Sequence, residues 1–469
     1  MKKLLEKNNI LFFVVFLIFI STRLFFIIKT NGFVSGDEAV YGLMGKYVME
    51  FKDFPLFMWG AHYAGTISCY ILALFFKVFG VSSYVYKIIM ILWEFLGVLV
   101  FSYLFDKKIR VYIPLFFIIP LEGSFLFSPY VELPFLGISS YLIIKKIYEG
   151  LNYKILFFLL GFLNGFGLYH QPLYFPFFLT SLIFVLKSDF IKEFKKRIYL
   201  ETGFIVGIFP LFIYNLIHPF ATIRRIGGMA VVGIGGKSDY GLLNMINSIY
   251  DYFGYNFVFI SLVSIIFIIF IKKDKSFPSR IGICSVIISF LFYLLPGVRK
   301  VRYLLPFFYS INIFVVLFSQ FLWDKNKKLF YAFIGLIFFV GFFKFNNYIK
   351  NFSYPDYRNL SYFLIGKNIK YAYSDYWTAY PVTFHSQEKI IVSPRLNDSM
   401  GFYDRTPWYY DLVKKENKKC IIFPKNNFYL KKKIMDKLEK VHIKYSGYLF
   451  DDFYIVIFNY EENDSLFLV

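Results

Sequence analysis

The sequence predicts an α-helical polytopic membrane protein with about eleven transmembrane helices, followed by a small C-terminal α/β domain. Hydrophobic residues make up 58% of the 469 residues, and the mean hydropathy is +0.54. Apolar runs recur along most of the chain, and many approach the length of about 20 residues with which a helix crosses a bilayer. A single soluble core could not bury so many such runs.

The basic residues lie between the apolar runs. The chain has 52 Lys and Arg against 31 Asp and Glu, which is a formal net charge of +21. Strongly basic proteins often bind nucleic acids through the phosphate backbone. Here, however, the cations form short clusters that flank apolar runs, which is the pattern of the positive-inside rule. The charge therefore indicates membrane orientation, and we expect no nucleic-acid partner.

The first apolar run sets the orientation. Lys2, Lys3 and Lys7 precede the run Ile10–Ile28. These cations place the N-terminus in the cytoplasm. The segment that follows the first span is therefore expected on the outer face of the cell membrane, either an inner or a plasma membrane.

The next apolar piece, Ala64–Gly80, admits two interpretations. A full crossing would put the basic cluster Asp106–Arg110 outside, against the positive-inside rule. If the piece instead lies in the interface or re-enters, Tyr84–Phe105 is the second span and this cluster, with the later ones, falls in the cytoplasm. We therefore assign residues 29–83 to a first outer loop. The further expected spans are Ile113–Phe127, Leu133–Ile147, Ile155–Tyr169, Leu173–Leu186, Ile198–Ile217, Phe257–Ile271, Ile281–Leu295, Leu304–Leu322 and Leu329–Phe343.

The chain changes character after residue 343. We expect residues 1–343 to form the transmembrane domain and residues 344–469 to form an extracytoplasmic α/β domain. Short alternating apolar stretches predict strands at Ile369–Tyr373, Lys389–Val392, Cys420–Phe423 and Phe453–Phe458. Amphipathic stretches predict helices at Trp377–Ser386, Trp408–Glu416 and Leu430–Val441.

Two adjacent carboxylates, Asp37 and Glu38, open the first outer loop. A carboxylate beside an acceptor hydroxyl can act as a general base. Water alone can also satisfy an acidic pair at a membrane surface. The meaning of this pair therefore depends on the residues that the other outer loops bring.

The loop Pro296–Tyr303 carries three cations, Arg299, Lys300 and Arg302, on the expected outer face. Cations there oppose the positive-inside trend, so they need another cause. They predict a site for a lipid-linked phosphate, which Arg binds with paired hydrogen bonds. The alternative is that they pair with lipid headgroups or with outer acidic residues.

Glu132 opens another outward-facing turn and can hold the acceptor, a metal ion or a cation of the loop Pro296–Tyr303. Alternatively, it is a helix-start carboxylate stabilised by the helix dipole. His62 and His170 are candidate ligands, although an interfacial histidine can also serve as a structural hydrogen-bonding group. The sequence has no Walker-type phosphate loop and no His-Glu-x-x-His pair, so ATP-driven transport and zinc proteolysis are unsupported.

Several motifs in order resemble one family of membrane enzymes. Gly36–Tyr41 resembles the first outer loop of GT-C fold glycosyltransferases, in particular the protein O-mannosyltransferase and aminoarabinose transferase group (glycosyltransferase family 39-like). Trp59–Gly65 is similar to the next part of that loop in bacterial members. Ser128–Glu132 stands where the family has its second acidic residue, and Arg302–Pro306 resembles an Arg-Tyr-Leu-x-Pro motif that starts a late helix. Tyr373–Tyr380 is similar to a segment in the tail of bacterial members.

The resemblance implies a glycosyltransferase that takes a sugar from a polyprenyl-phosphate monosaccharide on the outer face, with inversion at the anomeric carbon. The acceptor would be a protein, a lipid or a glycan. The role of general base falls on Asp37, with Glu38 as its neighbour. The phosphate-binding role falls on Arg302, with Arg299 and Lys300 as helpers.

The resemblance places the family's second acidic residue at Glu132, and we expect substrate contacts from Glu132, His62 and Tyr63. Oligosaccharyltransferases have a paired acidic motif at the second position, whereas this chain has Glu132 without an Asp two residues before it. Binding of a divalent metal ion by Asp37 and Glu132 is therefore kept as an alternative. The competing hypotheses are a polyprenyl-linked glycan transporter or flippase and a glycan ligase or polymerase.

Overall fold

The computed structural model describes residues 2–118, 126, 129–188, 193–224, 258–271, 273–294, 301–395, 404–440 and 442–459. The chain forms two compact units. The helical unit comprises Met1–Phe26, Tyr63–Gly65 and Ile89–Phe352, and the mixed unit comprises Ile27–His62, Thr66–Ile88 and Ser353–Val469.

Most of the described α-helices up to residue 351 are apolar, and four further helices follow in the C-terminal domain. They are α1 Lys2–Lys29, α2 Gly36–Met49, α3 Ile67–Phe79, α4 Ser83–Ser102, α5 Lys107–Arg110, α6 Leu133–Tyr148, α7 Lys154–His170, α8 Phe175–Leu186, α9 Phe194–Ile217, α10 Val258–Ile269, α11 Phe277–Tyr293, α12 Leu305–Lys325, α13 Lys327–Asn351, α14 Tyr357–Gly366, α15 Tyr376–His385, α16 Pro407–Lys415 and α17 Phe428–Lys440. Within the described residues, five helices are long and apolar enough to cross a membrane: Ile10–Lys29, Ser83–Ser102, Phe194–Ile217, Arg302–Lys325 and Lys327–Asn351.

Helices α7 and α9 pack with their backbones in close contact. Gly161 and Gly165 on α7 face the α9 backbone, and Gly203 and Gly207 on α9 face the α7 backbone. A Cβ atom at any of these four positions would overlap backbone atoms of the facing helix. Small residues spaced by four let helices approach closely where lipid removes the hydrophobic drive for association. These four glycines therefore define the α7–α9 interface.

A charged pair lies inside the helical unit. The Arg23 guanidinium on α1 donates to both carboxylate oxygens of Glu94 on α4, at 3.1 and 2.7 Å, and Arg23 is fully buried. Arg23 also donates to the hydroxyl of Thr22 at 2.8 Å. Such a pair is tolerated inside a membrane protein because each charge has hydrogen-bonded partners.

The mixed unit contains a five-stranded sheet in the order β4-β3-β5-β7-β6. β3 pairs in parallel with β4 and β5, whereas β7 pairs in antiparallel with β5 and β6. The strands are β3 Tyr371–Tyr373, β4 Ile391–Ser393, β5 Lys418–Pro424, β6 Tyr445–Phe450 and β7 Phe453–Asn459; a separate two-stranded sheet joins β1 Phe57–Met58 and β2 Ala61–Gly65.

Both faces of the five-stranded sheet are covered by helices. Leu360 of α14 and Val382 of α15 belong to one buried cluster with Ile422 of β5. Val413 of α16 and Leu438 of α17 belong to a second cluster. The alternation of side chains along β5 explains this, because Ile422 lies in the first cluster and its neighbours Ile421 and Phe423 lie in the second. The result is a three-layer α/β/α domain.

The structure confirms the predicted fold class of a helical polytopic membrane protein with a C-terminal α/β domain. All four expected strands and all three expected helices of that domain are present with shifted ends. Strand β6 and helix α14 were not predicted. The division between residues 343 and 344 remains a prediction, because the contact-based units follow other boundaries.

Neither the expected span Ile113–Phe127 nor the ambiguous piece Ala64–Gly80 is a long α-helix in the described residues. The run Ile113–Phe127 begins as a 3-10 helix, Ile113–Phe117, rather than as an α-helix. Pro114 lies at its start and lacks the backbone N–H of a regular helical residue. Most of the rest of that run lies outside the described residues. Most of the piece Ala64–Gly80 forms the 13-residue helix α3, which belongs to the mixed unit with most of the first outer loop.

Candidate active site

Asp37 and Glu38 lie in the first turn of α2. Ser35 caps this helix through a reciprocal pair of hydrogen bonds: its hydroxyl accepts from the Glu38 N–H at 3.5 Å, and its own N–H donates to Glu38 Oε2 at 2.9 Å. This is a capping box, in which both groups satisfy backbone donors at the helix start. Adjacent helical residues point in directions about 100° apart. Asp37 therefore faces another environment and is half-buried, whereas Glu38 is buried.

Glu38 points into the mixed unit and makes an ion pair with Lys87. The Lys87 ammonium donates to Glu38 Oε1, and both side chains are almost fully buried. Burial raises the pKa of Glu38, and the charge and hydrogen bond of Lys87 oppose this rise. The carboxylate of Glu38 is thus committed to the helix cap and to Lys87.

Asp37 is held by a side chain of the C-terminal α/β domain. The hydroxyl of Tyr376, at the start of α15, donates to Asp37 Oδ1. Tyr376 is 2% exposed. Burial raises the pKa of the Tyr376 phenol well above its usual value, the negative charge of Asp37 adds to this rise, and Arg405 opposes it. The phenol therefore keeps its proton and remains a hydrogen-bond donor.

Two local features bring Tyr376 to this place. Asp375 caps α15 by accepting from the backbone N–H groups of Trp377 and Thr378 at 2.8 and 3.2 Å. Gly36 permits the close approach of α15, because a Cβ there would lie 2.9 Å from the ring of Tyr376 and 3.1 Å from that of Trp377. A larger residue at position 36 would push the tyrosine away from the helix that carries Asp37.

Arg405 also lies beside Tyr376. Its guanidinium carbon lies 5.7 Å from the centre of the Tyr376 ring. Its Nη1 donates to the carbonyl of Gly60, and its backbone N–H donates to the hydroxyl of Tyr380 at 2.7 Å. Gly60 has a φ of +61°, a backbone conformation that favours glycine. The loop around Gly60 therefore fixes the cation that stands beside Tyr376.

A second carboxylate joins α2 to the C-terminal domain. Glu388 accepts from the hydroxyls of Tyr47 and Tyr409 at 3.0 and 2.7 Å and from the Lys46 ammonium. Burial raises the pKa of Glu388, but the hydrogen bonds and charge of these partners outweigh it and lower the pKa below its usual value. The ionised carboxylate is thus the stable form at neutral pH.

In the helical unit, Glu132 lies next to His170. Both side chains are completely buried, and Glu132 Oε2 lies 3.9 Å from His170 Nε2. Glu132 immediately precedes α6, and His170 ends α7. Gly65 touches this histidine, since a Cβ at Gly65 would lie 2.8 Å from the Cα of His170. The structure thus brings together two residues that the sequence analysis considered separately.

The structure also places Arg302 beside Tyr130. The guanidinium carbon of Arg302 lies 5.3 Å from the centre of the Tyr130 ring and 5.6 Å from that of Tyr303. At these distances the aromatic faces attract the cation. Two of the motifs that carry the family resemblance therefore meet inside the helical unit. The proposed helpers Arg299 and Lys300 lie outside the described residues.

The remaining expected site residues are less informative. His62 and Tyr63 lie in β2 and are half-buried. Within the described part of the chain, no three His, Cys, Asp or Glu side chains gather in a way that could hold a metal ion. Metal binding by Asp37 and Glu132 therefore stays a prediction, and we derive no chemical step through a metal.

Sequence reasoning did not find Tyr376, Arg405 or Lys87. The segment Tyr373–Tyr380 had a family resemblance but no assigned role, and its distance from Asp37 along the chain hid the contact. Lys87 lies in an apolar helix, where a single lysine carries little signal by itself. Arg405 lies between the predicted strand Lys389–Val392 and the predicted helix Trp408–Glu416, where a single arginine carries little signal by itself.

Comparisons with known proteins bear on the fold. No protein-family model and no curated protein matches the sequence. Among solved structures, ArnT from Cupriavidus metallidurans bound to undecaprenyl phosphate is 10% identical, with a TM-score of 0.64 over 96% of this chain and 98% of that one. The apo structure of the same ArnT has a TM-score of 0.65 at 10% identity, covering 96% of this chain and 97% of that one.

The Archaeoglobus fulgidus oligosaccharyltransferase in complex with Zn and sulfate is 14% identical, with a TM-score of 0.54 over 87% of this chain and 67% of that chain. At such identities the likeness concerns the fold. Both ArnT and the oligosaccharyltransferase are glycosyltransferases of the GT-C type. The resemblance inferred from the motifs is therefore confirmed at the level of architecture: this chain has the GT-C glycosyltransferase fold.

Proposed function

We propose that the protein is a membrane glycosyltransferase that moves a sugar from a polyprenyl-phosphate donor to a hydroxyl of a protein, lipid or glycan. The observation that carries this proposal is Asp37, a half-buried carboxylate at a helix start with one oxygen held by Tyr376. The GT-C fold supports it, because a structure with this fold, ArnT, is bound to undecaprenyl phosphate. The donor lipid is inferred from that likeness.

Asp37 serves as the general base. As the acceptor hydroxyl attacks the anomeric carbon, Asp37 takes its proton and the bond between that carbon and the phosphate oxygen breaks. The attack comes from the face opposite the phosphate, so the configuration inverts. A positioned base typically contributes a factor of about 10²–10⁴ to the rate.

Arg302 binds the donor phosphate. Its charge stabilises the leaving phosphate, and this interaction grows as the bond to the sugar breaks. Tyr130 and Tyr303 hold the guanidinium by cation–π contact. Arg299 and Lys300 would add charge to the same loop.

Glu38 and Glu132 take supporting roles. Glu38 fixes the start of α2 through Ser35 and Lys87, and so fixes its neighbour Asp37. Glu132, with His170, forms a buried polar pair that we assign to the substrate side of the helical unit. His62 and Tyr63 remain proposed substrate contacts. We place the site and the C-terminal domain outside the cell membrane and the N-terminus in the cytoplasm.

Donor turnover by purified protein tests this proposal. The probe is undecaprenyl phosphate linked to a radiolabelled hexose or pentose, with a solubilised membrane extract as the source of acceptors. We expect label to leave the donor while undecaprenyl phosphate is released in equal amount. Donor binding without release would indicate a transporter, and label transfer only from diphosphate-linked donors would indicate a ligase or polymerase.

An arginine variant tests the phosphate site in the same assay. We expect Arg302→Met to reduce kcat/KM for the donor by about 10–100-fold, since a charge-assisted contact to the phosphate is lost. Arg224→Met is the matched control. Arg224 is an exposed arginine in the expected outer loop between the spans Ile198–Ile217 and Phe257–Ile271. Equal activity of both variants would contradict the role given to Arg302.

A further inference from the structure

The C-terminal α/β domain reaches the candidate base. Tyr376 belongs to α15, which follows the first strand of the five-stranded sheet. Asp37 belongs to α2, in the first outer loop. The two helices belong to one compact unit, and the Tyr376 hydroxyl donates to Asp37 Oδ1. The residue that touches the proposed base therefore comes from the end of the chain opposite to the base itself.

This hydrogen bond is the only one that the described residues make to the Asp37 side chain. Asp37 is half-buried, whereas Tyr376 is 2% exposed. One carboxylate oxygen is thus held by a rigid, buried donor. A carboxylate with one fixed oxygen cannot rotate freely, so its second oxygen keeps one direction.

The surroundings of Tyr376 are built to hold its hydroxyl in place. The Asp375 cap fixes the start of α15, the backbone of Gly36 packs against the tyrosine ring, and the guanidinium of Arg405 lies 5.7 Å from the centre of that ring. Arg405 is itself tied to the carbonyl of Gly60. A tyrosine that served only to fill a core would not need a cation and a carboxylate on its polar end.

We propose that Tyr376 is a positioning residue for the transfer reaction, which orients Asp37 so that one carboxylate oxygen faces the acceptor hydroxyl. This inference rests on the proposed function of Asp37 as general base. It gives the C-terminal domain a part in the chemistry. No proton passes through Tyr376 in this scheme, since its hydroxyl donates to Asp37 throughout.

Tyr376→Phe tests the proposal, with Tyr409→Phe as a matched control. Tyr409 is a buried tyrosine of the same unit whose hydroxyl also donates to a carboxylate, that of Glu388, at 2.7 Å. Each variant deletes one such hydroxyl and keeps the ring. The kcat and the donor KM are measured for both, with thermal unfolding to compare their stability.

We expect Tyr376→Phe to lower kcat by about 10–100-fold with little change in donor KM, the range expected for one lost hydrogen bond to a charged group. Tyr409→Phe should keep kcat within about twofold while its unfolding temperature falls as much as that of Tyr376→Phe. Equal kcat for the two variants would overturn the positioning role.

Asp37→Asn, assayed beside them, separates this inference from the proposed function. If Asp37→Asn is inactive and the two tyrosine variants have equal kcat, only the inference about Tyr376 fails. If Asp37→Asn retains the wild-type rate, the base assignment fails and the positioning role falls with it. A wild-type protein that never releases undecaprenyl phosphate from the donor overturns both.

Discussion

The helical unit and the mixed unit use their carboxylates differently. In the helical unit, Glu94 accepts hydrogen bonds from two nitrogens of the buried Arg23 guanidinium. In the mixed unit, Glu388 accepts from two tyrosines and a lysine, whereas the described residues donate one hydrogen bond to Asp37, which stays half-buried.

The difference separates groups that hold the structure from a group that can react. A carboxylate with several buried partners is costly to disturb and has no free direction for a substrate. A carboxylate with one partner and partial exposure is oriented but still open to another hydroxyl. Among Glu94, Glu388 and Asp37, only Asp37 has this combination in the described part of the chain.

The largest effect is expected where a buried pair is broken. Glu38→Gln removes the carboxylate charge that pairs with the buried Lys87 ammonium, and should lower the free energy of unfolding by about 3–5 kcal/mol. Thermal unfolding of detergent-solubilised protein measures this change. The double variant Glu38→Gln with Lys87→Met should recover much of the loss, because it also removes the buried cation. A stable single variant would mean that this pair does not hold the start of α2.

A comparable test in the helical unit uses its glycines. Gly165→Leu should destabilise the protein by about 3 kcal/mol, since a side chain there meets the α9 backbone, which cannot move aside as a flexible side chain would. Gly335→Leu is the control, because a Cβ at Gly335 meets no atom within 4 Å. If the two variants unfold at the same temperature, close α7–α9 packing is not what stabilises this region.

The stability of the mixed unit should depend on pH through His385. Burial lowers the pKa of His385 from 6.5 to about 4, and the nearby charge of Arg358 adds to this shift while Asp356 opposes it. The unfolded state then binds more protons below pH 6.5. Stability is therefore full above that pH and falls toward pH 4, by about 2 kcal/mol between pH 7 and pH 5.

Replacing this histidine checks the assignment. His385→Gln should flatten the decline in unfolding temperature between pH 7 and pH 5, whichever stability it has at neutral pH. An unchanged decline would assign the pH dependence to other groups.

The smallest effect is expected at the approach of α15 to α2. Gly36→Ala should cost about 1 kcal/mol of stability, since its Cβ would lie 2.9 Å from the Tyr376 ring. It should also reduce kcat, because Tyr376 must shift away from Asp37. Gly366→Ala, where a Cβ meets no atom within 4 Å, is the control and should leave kcat unchanged. A Gly36→Ala variant with normal kcat would show that the distance between α15 and α2 is not critical.

Sequence reasoning reached the fold because apolar runs and flanking cations report directly on membrane spans. It also found the strands of the C-terminal domain, because β5 and β7 have strong apolar patterns. It missed β6, whose side chains are largely exposed. It missed α14 because that stretch follows the last long helix and carries only a short amphipathic pattern.

The candidate site was predictable only in part. Asp37 and Arg302 were proposed because acidic and basic residues stood out on the expected outer loops, and their roles stay predictions. The partners Tyr376 and Lys87 were missed, because long-range contacts between loops depend on tertiary packing that no local pattern encodes. The different partners of Asp37 and Glu38 could be identified only from the structure, since adjacent residues of a helix point in different directions.

The most direct test of the central claim is the rate at which Asp37→Asn transfers labelled sugar from the undecaprenyl-phosphate-linked donor. Asn keeps the size of the side chain and can still accept the Tyr376 hydrogen bond through its amide oxygen, but it cannot take a proton. We expect kcat to fall by about 10²–10⁴-fold, with donor KM and unfolding temperature close to those of the wild type. Glu50→Gln, which also replaces a carboxylate by its amide elsewhere in the first outer loop, should have no such effect. Transfer by Asp37→Asn at the wild-type rate would contradict the account.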